Sequence, residues 1–166
     1  MSFRIRAFQK TDFETLWQID QVCFDPQLAY SRPELAIYMR RPGSFTLVAE
    51  SVPGEEPTPK PSAAGILGFV VAEVRRRTAH VITIDILPEA RRTGIGSGLL
   101  DAAEEQSRRV GAAIVELETA VNNMGAIQFY KHKGYFVDKT VPGYYSNHLD
   151  AFVMRKELAP AALPGR

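Results

Sequence analysis

The sequence has a single cysteine and almost no net charge, and each deficit excludes a class of protein. Cys23 is the only cysteine among the 166 residues, so an internal disulfide and a zinc site built from several cysteines are both excluded. The 20 Lys and Arg residues against 19 Asp and Glu give a formal net charge of +1. That balance argues against a general nucleic-acid or anionic-membrane binder, because both classes depend on clustered positive charge. The three histidines have no ligand-like spacing, so no metal site is expected.

Long apolar runs are missing as well. No stretch approaches the ~18–20 residues that cross a bilayer, and the first eight residues contain no apolar signal core. A hydrophobic fraction of 45% is nevertheless typical of a globular protein with a packed core. We therefore expect a cytoplasmic protein, monomer or dimer, with one domain at 1–158 and a frayed tail at 159–166.

Hydrophobic periodicity predicts a mixed α/β fold in which helices flank a central sheet. Two early helices are expected to begin with capping boxes, at Thr11–Glu14 and Ser31–Glu34. The proline-rich segment 52–62 reads as a loop between antiparallel strands, and Arg75–Arg77 as a solvated hairpin tip or, alternatively, a substrate contact. The strands are predicted at 3–8, 45–50, 65–74, 79–87, 113–119, 135–139 and 151–156, and the helices at 11–24, 31–42, 94–110 and 123–133.

A glycine-rich segment at 91–98 joins a predicted strand to a predicted helix. Glycines allow close approach of a backbone to a ligand, and a helix start offers unpaired amides, so a phosphate or pyrophosphate is the natural ligand beside two arginines. The Walker pattern fails because no lysine follows the last glycine. The dinucleotide pattern fails because Leu99 stands at its third glycine, although Glu116 or Glu118 could replace its acidic residue. A tight turn without a ligand is the remaining alternative.

A third pattern, Arg-x-x-Gly-x-Gly, is matched by Arg91, Gly94 and Gly96. The surrounding segments that extend the match are Ile82–Pro88, Leu117–Asn123 with Ala126, Phe129–Tyr135, Cys23-Phe24, Tyr144-Tyr145 and Asp150–Met154. In these residues the sequence resembles the GNAT superfamily of acyl-CoA-dependent N-acetyltransferases, closest to the ribosomal-protein-alanine (RimI-type) N-terminal acetyltransferases. The resemblance implies a single-domain GNAT-like fold of about seven strands and four helices, with acetyl-CoA as co-substrate and no metal.

The resemblance also implies roles for individual residues. Glu118 is the expected general base, acting through water, because an α-amine with a pKa near ~8 must lose a proton before it attacks the thioester. Tyr130 is the expected acid for the leaving thiolate, and Asn123 both caps its helix and contacts the pantetheine arm. The cofactor-binding residues implied are Ile84 and Ile86, through their main-chain amides, with Arg91, Arg92, Gly94, Ile95, Gly96, Ser97, Asn123 and Tyr130.

The sequence offers fewer candidate residues for binding the acceptor amine. Tyr144 and Tyr145 follow Pro142-Gly143 in a loop, where aromatic residues can line an acceptor groove. Asp20 could attract a cationic amine, the alternative being a surface charge on a helix. Cys23 reads as a buried free thiol rather than an acyl-carrying nucleophile.

The function predicted is transfer of an acetyl group from acetyl-CoA to a primary amine by direct attack on the thioester, with no nucleic-acid or membrane partner. The favoured acceptor is a protein or peptide N terminus, and a small-molecule amine is the alternative. A noncatalytic acyl-CoA sensor is a further alternative, against which the pairing of Glu118 with Tyr130 argues. A nucleotide-dependent oxidoreductase is the most remote reading.

Overall fold

The computed structural model describes residues 2–52 and 65–160. Most of the proline-rich segment and the last six residues of the tail lie outside this range. The strands are β1 Phe3–Ala7, β2 Ser44–Ser51, β3 Ile66–Arg75, β4 Thr78–Ile86, β5 Ile114–Ala120, β6 Phe136–Val141 and β7 Ala151–Glu157. The α-helices are α1 Phe13–Cys23, α2 Arg32–Arg40, α3 Ile95–Arg109 and α4 Met124–His132. Two short 3₁₀ turns, Lys10–Asp12 and Pro88–Ala90, precede α1 and follow β4.

The seven described strands form one mixed sheet in the order β1-β2-β3-β4-β5-β7-β6. The pairs β1–β2, β2–β3, β5–β7 and β6–β7 are antiparallel. Strands β4 and β5 are parallel, and their register joins Thr78–His80 to Ile114–Glu116, the first three residues of each strand. The predicted α/β architecture, seven strands and four helices, is thereby confirmed.

The chain divides into two compact units, of which the first comprises Met1–Glu73 and Ile82–Ala103. Its core is made of aliphatic and aromatic side chains that are almost fully buried, among them Leu16, Ile19, Leu35, Val48, Phe69, Leu87, Ile95 and Leu99. Helix α3 packs closely on β1, since a Cβ atom on Gly98 would lie 3.0 Å from the Phe3 ring.

The two early helices begin differently. Helix α2 has the predicted capping box: the Glu34 amide donates to Ser31 Oγ at 3.2 Å, and the Ser31 amide donates to the Glu34 carboxylate at 3.0 Å. The predicted box at Thr11–Glu14 is wrong. Asp12 takes that place, accepting from the Gln9 amide at 2.8 Å, because Arg6 on β1 holds its carboxylate through two further hydrogen bonds.

The second unit comprises Val74–Val81 and Glu104–Arg166. Strand β5 pairs with β7 along its whole length, and alternate β5 residues, Val115, Leu117 and Thr119, are buried. Beside them the Tyr135 hydroxyl donates to the buried Glu104 carboxylate at 2.7 Å, and Lys156 donates to the other oxygen of that carboxylate, also at 2.7 Å. This network satisfies a carboxylate that would be costly to bury alone.

The turn between β3 and β4 is formed by basic residues. Arg75, Arg76 and Arg77 are all exposed, and Arg76 adopts a left-handed conformation at φ 57°. The predicted solvated hairpin tip is confirmed.

Candidate active site

The glycine-rich segment forms the connection between β4 and α3, in the first unit. Gly94 has a φ of +88°, in the left-handed region, and a Cβ atom there would meet nothing within 4 Å. Arg92 also lies in the left-handed region at φ 62°, a conformation that is uncommon outside glycine and often marks a functional loop. Arg91, Arg92 and Thr93 are exposed, and α3 begins directly after Gly94.

This geometry fits a pyrophosphate. The first amides of an α-helix have no intrahelical acceptor, and the positive end of the helix dipole lies among them. Two exposed guanidinium groups beside a helix start supply the charge-assisted donors that a pyrophosphate requires. The residues present therefore suit the pyrophosphate of a CoA-type ligand.

The end of β4 is hydrogen-bonded to the β4–α3 loop through the Ile86 carbonyl group. The Ile86 carbonyl accepts from Arg91 Nε and from Cys23 Sγ, each at 3.2 Å. Ile84 and Ile86 are half-buried and alternate with the buried Thr83 and Asp85. The structure thus brings Ile86 and Arg91 together through the Ile86 carbonyl, and the predicted contact of the Ile86 amide with the cofactor stays a prediction.

Cys23 and Asp20 lie on the inner face of α1. Burial, with the negative charge of Asp85 as a second cause, raises the pKa of Cys23 to about 12, which suits a structural thiol rather than a nucleophile. Asp20 is 0% exposed. Its carboxylate therefore neither stands on the helix surface nor faces solvent to attract an amine, and both sequence readings of this residue are corrected.

The predicted base, Glu118, lies in the second unit and has a partner that the sequence reading missed. His80 Nε2 lies 2.6 Å from Glu118 Oε2, with the histidine side chain 38% exposed and the glutamate side chain 21% exposed. His80 lies on β4 and Glu118 on β5. The parallel register places His80 opposite Glu116, which precedes Glu118 by two residues and lies on the same face of β5. The sequence contained one indication of this contact: by the alternation of residues along neighbouring strands, His80, Glu116 and Glu118 are expected on the same face of the sheet.

Tyr130 is buried on α4. Its ring packs against Phe129 at 5.3 Å and against Tyr135 at 5.8 Å between centroids. Its carbonyl accepts from the Tyr135 amide at 2.9 Å, which ends the helix. At the other end of α4, Asn123 Oδ1 accepts from the Ala126 amide at 3.2 Å, as predicted for an N-cap.

Tyr144 and Tyr145 pack edge to face, with ring centroids 4.9 Å apart and an interplanar angle of 85°. Tyr144 is 47% exposed, whereas Tyr145 is half-buried. Burial, with smaller contributions from Tyr144 and the negative charge of Glu118, raises the pKa of Tyr145 to about 12. The second unit thus brings Tyr145 near the His80–Glu118 pair.

Two features are absent from the part of the chain that the structure describes. Within 2–52 and 65–160, no group of three or more His, Cys, Asp or Glu side chains could hold a metal ion. None of the described helices combines the length and apolar character of a membrane span.

With this geometry in hand, comparison with known proteins establishes the class. A profile of the Acetyltransferase (GNAT) family matches residues 13–135. The N-terminal acetyltransferase B complex catalytic subunit naa20 of Schizosaccharomyces pombe is 31% identical over 160 residues, covering 93% of this chain and 84% of that protein. The chain therefore belongs to the GNAT acetyltransferase family and is an acetyl-CoA-dependent N-acetyltransferase.

Solved structures agree with that assignment. The crystal structure of Chaetomium thermophilum Naa20 with a bisubstrate analogue is similar at a TM-score of 0.75 and 27% identity, over 93% of this chain and 86% of that one. The ribosomal-protein-S18-alanine N-acetyltransferase of Escherichia coli is similar at a TM-score of 0.78 over 99% of this chain and 100% of that one. Its identity is 20%, so that likeness shows the fold alone.

Proposed function

We propose that the protein acetylates the α-amino group at the N terminus of a protein or peptide. Support comes from the N-terminal acetyltransferase similar to it over most of both chains. It also comes from the His80–Glu118 hydrogen bond, the observation that carries the proposal, because it holds a carboxylate in a defined position on β5. We further propose a cytoplasmic location, where the lone free cysteine, Cys23, would stay reduced.

The cofactor side of the proposal rests on the β4–α3 connection. The amides of Ile95, Gly96 and Ser97 and the side chains of Arg91 and Arg92 bind the pyrophosphate of acetyl-CoA. The amides of Ile84 and Ile86 and the side chain of Asn123 bind the pantetheine arm, and an amide of β4 stabilises the oxyanion that forms on the thioester carbonyl. Acetyl-CoA supplies the activated acetyl group.

Glu118 is the general base in this proposal. An α-ammonium group has a pKa near ~8 against ~10.4 for lysine, so at neutral pH the neutral amine is roughly two orders of magnitude more abundant at an N terminus. Glu118 accepts the proton through a water molecule as the amine attacks the thioester carbon. The imidazole of His80 fixes the orientation of the carboxylate and acts as a positioning group.

Tyr130 completes the proton transfers. When the tetrahedral intermediate collapses, the carbon–sulfur bond breaks and the thiolate takes a proton from the Tyr130 hydroxyl. The buried Tyr130 ring packs against the rings of Phe129 and Tyr135, and such packing favours a fixed position for its hydroxyl group. Tyr144 and Tyr145 form a wall of the acceptor groove, where a rigid aromatic pair can hold a peptide backbone.

A thiol-release assay with acetyl-CoA tests the acceptor. Three kinds of acceptor are compared. They are peptides with a free N terminus, peptides with a blocked N terminus and an internal lysine, and polyamines. We expect release with the free N termini, and tandem mass spectrometry should locate the acetyl group on the α-nitrogen. Activity confined to polyamines would instead establish a small-molecule acetyltransferase, and binding of acetyl-CoA without turnover on any amine would establish a sensor.

A further inference from the structure

Two carboxyl groups are buried together in the first unit, one on α1 and one on β4. Asp20 is 0% exposed and Asp85 1% exposed, and their side chains lie within hydrogen-bonding reach of each other. Neither belongs to the proton transfers described above. A pair of acids in the interior of a protein requires an explanation, since isolated buried charges are strongly disfavoured.

The groups that donate to these carboxyls are uncharged. Asp20 Oδ2 accepts from the Tyr30 amide at 2.7 Å and from Gln21 Nε2 at 3.4 Å, and Asp85 Oδ1 accepts from Thr83 Oγ1 at 2.5 Å. The second oxygens, Asp20 Oδ1 and Asp85 Oδ2, find no donor anywhere in the described ranges. A proton shared by the two carboxyl groups forms a hydrogen bond between them and removes one of the two negative charges.

The surrounding charges favour a protonated pair. Burial raises the pKa of Asp20, although the hydrogen bond from Asp85 acts in the opposite direction. Burial and the negative charge of Asp20 raise the pKa of Asp85 well above its usual range. Glu34 on α2 adds further negative charge near Asp20. Arg91 is the cation that acts on Asp85, and its effect is smaller than that of burial. Cys23, the remaining titratable neighbour, has a pKa of about 12 and stays neutral.

The pair is joined to the cofactor loop through the neighbouring residue. Asp85 directly precedes Ile86, whose carbonyl receives hydrogen bonds from Arg91 and from Cys23 on α1. On the other side the Asp85 backbone is in tight contact with β3, since a Cβ atom on Gly68 would lie 2.6 Å from the Asp85 carbonyl oxygen. A change in the pair therefore acts on the segment of β4 that leads into the loop.

We propose that Asp20 and Asp85 share one proton in a hydrogen bond that fixes α1 against the end of β4, and that loss of this proton as the pH rises weakens acetyl-CoA binding. The second half rests on the proposed role of the β4–α3 loop in binding acetyl-CoA. Asp20 and Asp85 are positioning residues, since their effect on the cofactor passes through Ile86 and Arg91.

The first experiment measures the pH dependence of unfolding without ligand. A carboxyl whose pKa is raised by folding contributes stability that is present below its ordinary pKa of 3.8 and is lost as the pH rises through the folded value. The stability of the wild type should therefore fall progressively as the pH rises above about 3.8. Asp85→Asn supplies a permanent amide donor to Asp20, so this fall should disappear while the protein remains folded.

The controls separate the shared proton from simple packing. Glu89→Gln alters an exposed carboxyl in the 3₁₀ turn after β4 and should retain the wild-type profile. Asp85→Ala leaves Asp20 without its partner and should be less stable than Asp85→Asn at every pH, by about tenfold in the unfolding constant. A wild-type profile in Asp85→Asn would overturn the shared proton.

The second experiment measures acetyl-CoA affinity by calorimetry at pH 6 and pH 9. We expect the wild type to lose about fivefold or more in affinity at the higher pH, and Asp85→Asn to lose much less. Any change in the protonation of acetyl-CoA between the two pH values affects both proteins equally, so it does not alter the difference between them. Equal losses of affinity in the two proteins would refute the link between the Asp20–Asp85 pair and the loop. Absence of acetyl-CoA binding at both pH values would refute the proposed function, and the unfolding profiles alone would then test the shared proton.

Discussion

At the scale of single residues, the catalytic proposal depends on a few side chains whose orientation is fixed by neighbours. Glu118 is held by His80 across two parallel strands, and Tyr130 is held by two aromatic rings. Catalytic groups need this restriction because a displacement of about 1 Å can cost roughly 10²-fold in rate. The half-buried position of Glu118 also leaves it open to a water molecule.

Replacing the proposed base tests its role directly. Glu118→Gln should reduce kcat about 10²–10⁴-fold, because the amide keeps a contact with His80 but cannot accept the proton. Acetyl-CoA affinity and the melting temperature should change little. Steady-state kinetics measure the effect, and Glu116→Gln, on the same face of β5, provides the matched control. Full activity in Glu118→Gln would remove the assignment.

Replacing the proposed acid is a separate test. Tyr130→Phe removes one oxygen atom and keeps the ring between Phe129 and Tyr135, so the fold should persist. We expect kcat to fall about 10²-fold or more with KM for acetyl-CoA nearly unchanged, since the lost proton is needed when the thiolate departs. Tyr135→Phe on the same aromatic cluster serves as comparison. If both variants turn over equally well, Tyr130 does not supply the proton.

At the scale of elements, two glycines of the first unit are required for different reasons. Gly94 is needed for its left-handed backbone, because its φ is +88° and the space around it is open. Gly68 on β3 is needed for space, because a Cβ atom there would meet the backbone of β4. The loop and the strand that supports it thus depend on different properties of the same amino acid.

The two glycines predict different outcomes for the same substitution. Gly94→Ala should cost about 1 kcal/mol in the free energy of unfolding and weaken acetyl-CoA binding, since the strain falls on the loop itself. Gly68→Ala should cost more, about 1–3 kcal/mol, because β3 or β4 must shift. Chemical denaturation with calorimetric titration measures both quantities. A Gly68→Ala protein as stable as the wild type would contradict the close approach of β3 to β4.

At the scale of the whole molecule, buried and half-buried carboxyls impose opposite pH dependences on stability. Hydrogen bonds from Arg6 lower the pKa values of Asp12 and Glu50, whereas burial raises those of Asp20 and Asp85. The first pair stabilises the fold above the ordinary pKa values of 3.8 and 4.5, and this stability is lost as the pH falls through the folded values. The second pair loses stability as the pH rises.

Acid unfolding should therefore respond to the Arg6 network. Asp12→Asn should reduce the free energy of unfolding at pH 7 by about 1–3 kcal/mol and flatten its decline below about pH 4, because the buried charged hydrogen bonds are gone. Urea unfolding at several pH values measures this. Glu14→Gln, which removes the exposed pair with Arg32, should have a much smaller effect. Equal effects of the two substitutions would show that burial does not matter at Asp12.

The sequence by itself determined the secondary-structure elements and the residue composition of the β4–α3 loop. Periodicity identified all seven strands and four helices, and the Ser31–Glu34 box was predictable because its partners are three residues apart. Residues 91–98 could be proposed as a phosphate-binding loop because glycine, arginine and a helix start are local properties. The parity of β5 likewise placed Glu116 and Glu118 on one face.

Only the tertiary structure decided what lies opposite these residues. The capping box was misplaced because Arg6, on another strand, captures Asp12. Asp20 was predicted to attract an amine or to be a surface charge because nothing near it in sequence shows that Asp85 lies beside it in the interior. His80 was overlooked because Glu118 lies 38 residues away and meets it only when β4 and β5 align in parallel. Burial and ion pairing depend on such long-range contacts, and local sequence patterns carry no record of them.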